Sequence, residues 1–117
     1  FGFKHGTPID ADYIFDVRCL PNPHWQPEFR PLTGEDPAII DFLQLNEDVE
    51  EMVKQLGGFL THWLPMFEAE SRSYLAVGIG CTGGRHRSVY IVNRLVTIFR
   101  DRGRPVQWRH RDLQRLS

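Results

Sequence analysis

Residues 73–90 read Ser73-Tyr74-Leu75-Ala76-Val77-Gly78-Ile79-Gly80-Cys81-Thr82-Gly83-Gly84-Arg85-His86-Arg87-Ser88-Val89-Tyr90. The segment 73–80 is nearly all apolar, as a central strand covered on both faces requires. From Val89 the apolar positions continue at Val92, Leu95, Val96 and Phe99, the spacing of one helix face. That pattern predicts a helix from about Ser88 to Arg102, ended by Gly103. A buried strand that turns through glycines into a helix is a building unit of layered α/β proteins.

The turn itself carries chemistry. Glycines let backbone N–H groups turn inward and let an anion approach closely. The following helix start adds unpaired donors and about half a positive charge. Thr82 and Ser88 contribute hydroxyls, Arg87 a guanidinium suited to bidentate phosphate contact, and His86 a charge near neutral pH. Cys81, Thr82, Gly83, Gly84, His86, Arg87 and Ser88 are therefore candidate ligands for an anion, foremost a phosphate.

Working outward, residues 13–20 (Tyr-Ile-Phe-Asp-Val-Arg-Cys-Leu) read as a second strand closed by a proline cluster. Asp16 and Arg18 lie two apart and share a face, with Tyr13, Phe15, Val17 and Cys19 on the other. Cys19 is expected as a small core residue. If the strands are parallel, their carboxyl ends share one rim. Asp16, Arg18 and the loop residue His24 then come toward loop 81–87, where ligands of open α/β sheets sit. An ion pair for Asp16–Arg18 and a packing role for His24 are the alternatives. Residues 21–37 carry five prolines and form a long loop.

A short helix is expected over 37–45, opening on Pro37. A second begins at Asn46, a good cap, with Glu47, Asp48 and Glu50 in its first turn. Its stripe is Val49, Met52, Val53, Leu56, Phe59, Leu60, Trp63, Leu64 and Phe67, and Pro65 is expected to kink or end it. Residues 105–109 read as a last strand. The order strand, two helices, strand, helix, strand gives α/β layering with a mostly parallel sheet and flanking helices, in a single domain over 1–117.

Cys81, five residues, then Arg87-Ser88 also fits the C-x5-R-[S/T] spacing of cysteine-dependent phosphatases, whose thiolate attacks phosphorus. Those loops usually carry His before the cysteine, and here Gly80 stands there. An acid is needed as well, and only Asp16 is placed for it.

The chain has 117 residues, 41% of them hydrophobic, enough for one core. No apolar run approaches the ~20 residues of a membrane span. The start at Phe1-Gly2-Phe3-Lys4 reads as a cut from a longer protein. Two cysteines make neither a disulfide framework nor a zinc motif, so no metal is expected and a reducing cytoplasm is the default. A net charge of −1 conceals a split. Residues 85–117 hold nine arginines against two acids, a balance of +7, and residues 1–84 stand at −8. The basic end suits a polyanion such as RNA.

Gly78-Ile79-Gly80-Cys81-Thr82-Gly83-Gly84-Arg85-His86-Arg87-Ser88-Val89-Tyr90 closely resembles the C-terminal domain of the RapZ family of bacterial RNase adapter proteins. The likeness extends through 1–6, Asp16-Val17-Arg18, Leu20-Pro21-Asn22-Pro23-His24-Trp25, Leu64-Pro65, Arg72-Ser73-Tyr74-Leu75 and Arg109-His110-Arg111. The resemblance implies a fold similar to a phosphofructokinase subdomain and a non-catalytic adapter role. It implies sensing of glucosamine-6-phosphate, binding of small regulatory RNA for an endoribonuclease partner, and homo-oligomers. It implies no cofactor in this domain, with ATP or GTP on Walker-type motifs of an N-terminal domain outside this chain. Residue by residue, the loop positions and His24 match the family's pocket, with Asp16 and Tyr74 as further members. Arg104 falls in the region used for RNA, which Arg109, Arg111 and Arg115 extend. The tail ends at Leu116-Ser117, without the lysine cluster of RNA-binding relatives.

Overall fold

The computed structural model describes residues 1–72 and 74–115. The expected strand start at Ser73 and the tail end at Leu116-Ser117 lie outside the described residues. The chain is of the α/β class. Strand β1 (Tyr13–Asp16) is followed by α1 (Pro37–Gln44), α2 (Glu47–Ala69), β2 (Val77–Gly80) and α3 (Arg87–Asp101). β1 and β2 pair in parallel, with Tyr13 beside Val77 and Asp16 beside Gly80. Both strands therefore end at the same rim.

Local chemistry sets the helix boundaries. Pro37 opens α1, where its missing N–H costs nothing. The Asn46 side chain caps α2 by accepting from the N–H groups of Asp48 and Val49. Pro65 does not end α2, which runs on to Ala69. Val17, Ile39, Leu43, Val49 and Ile91 are fully buried and join Val53, Leu60, Ile79 and Leu95 in one core. Each such side chain contributes about 1.5–3 kcal/mol through burial. The expected stripe of α2 splits in two. Val49, Val53, Leu56 and Leu60 enter the core, whereas Phe59 meets Tyr13 and Phe15 edge-on at 5.3 and 5.6 Å.

Two expectations are corrected. Residues 105–109 form no strand: no ladder bond reaches them among the described residues, and Trp108 lies under the Arg100 guanidinium at 4.7 Å. Cys19 is exposed rather than buried, because the chain turns after Val17, with Leu20 N–H donating to the Val17 carbonyl at 3.2 Å, and the alternation of faces ends there.

Candidate anion-binding site

Loop 81–86 leaves the carboxyl end of β2 and enters α3. Its floor is a segment the sequence left unassigned. Residues 1–4 run parallel to the end of β2, with Gly2 bridged to Cys81. Phe3 and Lys4 donate to the carbonyls of Cys81 and Thr82 at 2.8 and 3.2 Å. The fit requires glycines. Gly84 has φ +76, and a Cβ there would overlap Gly2 N and lie 2.7 Å from the Phe1 carbonyl carbon. At Gly80 a Cβ would meet the Phe1 and Phe3 rings at 2.5 Å, so the histidine of a phosphatase loop has no room. Beneath the floor Asp112, fully buried, accepts from Gly2 N–H at 2.7 Å and from Arg111 and Arg115 at 2.8 Å each.

The side chains of the loop are more occupied than their types suggest. Cys81 is 2% exposed; its sulfur accepts from Ser88 N–H at 3.4 Å and lies 3.3 Å from the Ser88 hydroxyl. Burial pushes this thiol up, but the Ser88 hydroxyl, the N–H groups of Ser88 and Gly84 and the charge of Arg87 outweigh it and leave it lowered. His86 donates Nε2–H to the Leu32 carbonyl at 2.7 Å. Burial, with Arg85 and His24 nearby, holds it below its ordinary 6.5, so it is neutral at pH 7 and adds no charge.

Arg87 departs furthest from expectation. It is 3% exposed, and its Nη1 donates to the carbonyls of Arg18 and Leu20 at 2.7 and 3.1 Å. Nη2 donates to the Thr82 hydroxyl at 3.3 Å. The guanidinium thus ties the end of β1 to the loop instead of extending as a free fork. Its Nε, buried, has no partner among the described residues.

The rim expected from parallel strands is present. Asp16 stands opposite Gly80, and Arg18 follows it. Both Asp16 oxygens accept from Arg18, whose guanidinium also lies 3.9 Å over the Phe3 ring. The pair is half exposed and contributes little to stability. The Arg18 guanidinium beside Asp16 holds its carboxyl below the usual range. His24, in a one-turn helix capped by Asn22, comes close enough to His86 to depress its proton affinity. Tyr74 is not brought to this site. It precedes β2, at the far end of the strand from the loop, and is 74% exposed.

What the loop leaves open is backbone. The N–H groups of Thr82, Gly83, Arg85, His86 and Arg87 have no acceptor among the described residues. They lie in the loop leading into, and at the first residue of, a 15-residue helix. Such a row of unpaired donors is the chemistry an anion completes.

The basic tail is more neutralised than its charge count implies. Arg104 pairs with Glu68, Arg94 with Glu50, and Arg111 and Arg115 share Asp112. Arg100, Arg102 and Arg109 have no carboxylate partner among the described residues. Arg109 and the partly exposed Trp108 stand at the surface. No helix among the described residues is long and apolar enough to cross a membrane.

Comparison with known proteins agrees with the resemblance. The family model described as the RapZ C-terminal domain matches residues 1–114. RNase adapter protein RapZ of Yersinia pseudotuberculosis (serotype O:1b) and of Yersinia pestis (bv. Antiqua, strain Angola) are each 57% identical over 115 residues. That of Yersinia enterocolitica (serotype O:8) is also 57% identical. Each match covers 98% of this chain, and the chain spans about 40% of the length of these relatives. With a strand, glycine loop and helix in the order of the shared motif, the chain belongs to the RapZ C-terminal domain family.

Proposed function

We propose that this domain is the ligand-sensing and RNA-contacting module of an adapter that regulates an endoribonuclease. The relatives named above are RNase adapter proteins, which supports the adapter role. The carrying observation for the ligand is the set of N–H groups of Thr82, Gly83, Arg85, His86 and Arg87, which have no acceptor among the described residues and lie at the start of α3. A sugar phosphate fits this chemistry, and glucosamine-6-phosphate fits it best. Its phosphate takes the loop donors, with Arg87 supplying positive charge from below. Its ammonium faces the Asp16–Arg18 pair on the same rim, and His24 borders the sugar. Arg100 and Arg109 beside Trp108, with the exposed Arg102, offer phosphate contacts and an aromatic face to RNA. Arg104, Arg111 and Arg115 are partly spent on carboxylates and act mainly in shaping that surface. Homo-oligomers, and ATP or GTP bound by a further domain, belong to the same reading of the whole polypeptide.

Gly83→Asp tests the ligand site without disturbing the fold, because a Cβ at Gly83 meets only the end of Lys4, at 3.8 Å. A carboxylate beside the bound phosphate is repelled by about 1–4 kcal/mol at close range. Calorimetric affinity for glucosamine-6-phosphate is expected to fall at least tenfold while the circular dichroism spectrum stays unchanged. Unchanged affinity would place the phosphate elsewhere.

A second reading is favoured by the lowered Cys81 thiol and its Ser88 partner, the pairing a cysteine phosphatase uses. Against it stand the burial of Cys81, the engagement of Arg87 and the lack of space at Gly80. Under the adapter reading, an aryl phosphate incubated with the protein is not turned over. Turnover abolished by Cys81→Ser would establish the enzyme instead.

A further inference from the structure

The edge of β2 that faces away from β1 is paired at one end and bare at the other. In β2 the even-numbered residues face β1: the carbonyls of Ala76 and Gly80 accept from Asp12 and Val17 at 2.7 and 2.9 Å. The odd-numbered residues face the other way. There Phe1 N donates to Ile79 O at 2.8 Å, Cys81 N donates to Phe1 O at 3.1 Å, and Phe3 N donates to Cys81 O at 2.8 Å. Before Phe1 this parallel ladder stops. The N–H groups of Val77 and Ile79 and the carbonyl of Val77 have no partner among the described residues. They open onto a cleft of about 1090 Å³, walled by Leu64 and Phe67 of α2 and by Leu95, Val96 and Phe99 of α3.

Unpaired backbone next to an apolar cleft is unfavourable, at about 1–3 kcal/mol for each buried group left without a partner. A strand satisfies the edge and covers the apolar walls at once. We propose that in the full-length polypeptide the four residues directly preceding Phe1 fill this cleft as a third strand, parallel to β2. The occupant is fixed by continuity. Phe1 already holds the ladder position at Ile79, so a strand from any other molecule would have to end against it. The relatives are about two and a half times as long as this chain, so polypeptide is available to supply the strand.

The register follows from the bonds in place. The carbonyls two and four residues before Phe1 accept from the N–H groups of Ile79 and Val77. The N–H two residues before Phe1 donates to the Val77 carbonyl. By strand alternation the side chains one and three residues before Phe1 face α2 and α3, and the others join Phe1 on the opposite face. The new strand continues directly into Gly2–Lys4, the floor of loop 81–86. It therefore anchors the preceding part of the polypeptide to that loop, whatever the loop binds.

Amide hydrogen exchange on the full-length protein tests this. Val77 and Ile79 amides are expected to exchange as slowly as those of Gly78 and Gly80, which face β1. The rates are expected to be independent of protein concentration. Proline placed two residues before Phe1 removes the donor to Val77 and is expected to speed exchange at Val77 and Ile79 at least tenfold, with Gly78 and Gly80 still protected. Fast exchange at Val77 and Ile79 in the unsubstituted full-length protein would overturn the proposal. So would protection that disappears on dilution, which would assign the cleft to a second copy.

Discussion

Gly84→Ala is expected to lower the thermal midpoint by roughly 10–20 °C, the effect of about 2–5 kcal/mol on a domain of this size. Two costs combine. Residue 84 sits at φ +76, a region that an L side chain occupies at about 1–2 kcal/mol. The added methyl would also enter the backbone of Phe1 and Gly2 and stand 3.1 Å from Asp112 Cβ. None of these groups is the free end of a flexible side chain, so overpacking adds about 1–3 kcal/mol. The comparison is Gly83→Ala, next to it in the loop, where φ is ordinary and the space is open. It is expected to melt within a few degrees of the parent. Equal melting of the two variants, by circular dichroism, would mean that residues 1–2 do not underlie the loop.

Asp112→Ala is the other large effect, expected at about 2–4 kcal/mol, from a buried N–H left unpaired and a charge-assisted bond lost to the partly buried Arg111. It leaves the Gly2 N–H without its acceptor and removes the carboxylate that Arg111 and Arg115 share, while Arg111 keeps the Gly6 carbonyl. The same carboxylate governs acid stability. Burial pushes Asp112 up, but the Arg111 and Gly2 hydrogen bonds and the Arg111 charge hold it at about 2, below the ordinary 3.8. A folded value below the unfolded one stabilises the protein above about pH 4, and that contribution is lost as pH falls through about 2. At about 1.4 kcal/mol per pH unit it amounts to ~2–3 kcal/mol. Urea midpoints at pH 5 and pH 2.5 read it directly. The parent is expected to lose about two thirds of that amount between them, because the folded carboxyl is still mostly ionised at pH 2.5, and Asp112→Asn to lose much less. Equal acid sensitivity of parent and variant would assign the effect to other carboxylates.

The strand, glycine loop and helix over 77–101 were legible because each signal there is local: apolar run, glycine cluster, helical stripe; the strand itself is shorter than the apolar run 73–80 implied. The cap at Asn46 was legible for the same reason. Parallel pairing followed from the order of strands and helices and placed Asp16 and Arg18 on the loop's rim. What the sequence concealed depends on distant partners. Phe1 and Phe3 fit over Gly78 and Gly80, a large-on-small match visible only once the register is known. Asp112 looked like one acid in a basic tail, yet it is fully buried and its carboxylate engages both Arg111 and Arg115, which lowers the free positive charge of the tail. Arg87 has the right residue type for a phosphate ligand, but the carbonyls exposed where β1 ends claim it first. Val106 and Trp108 alternate like a strand, yet no ladder bond reaches them among the described residues, and Trp108 packs under the Arg100 guanidinium.

The central claim is that an anion completes the backbone donors of loop 82–87. Its most direct test is a titration of the nitrogen-15-labelled protein with glucosamine-6-phosphate, and with inorganic phosphate as the minimal probe. Amide resonances of Thr82, Gly83, Arg85, His86 and Arg87 are expected to shift together and saturate, with Tyr74 unmoved. Saturable shifts centred on another part of the surface, or none with either probe, would contradict the account.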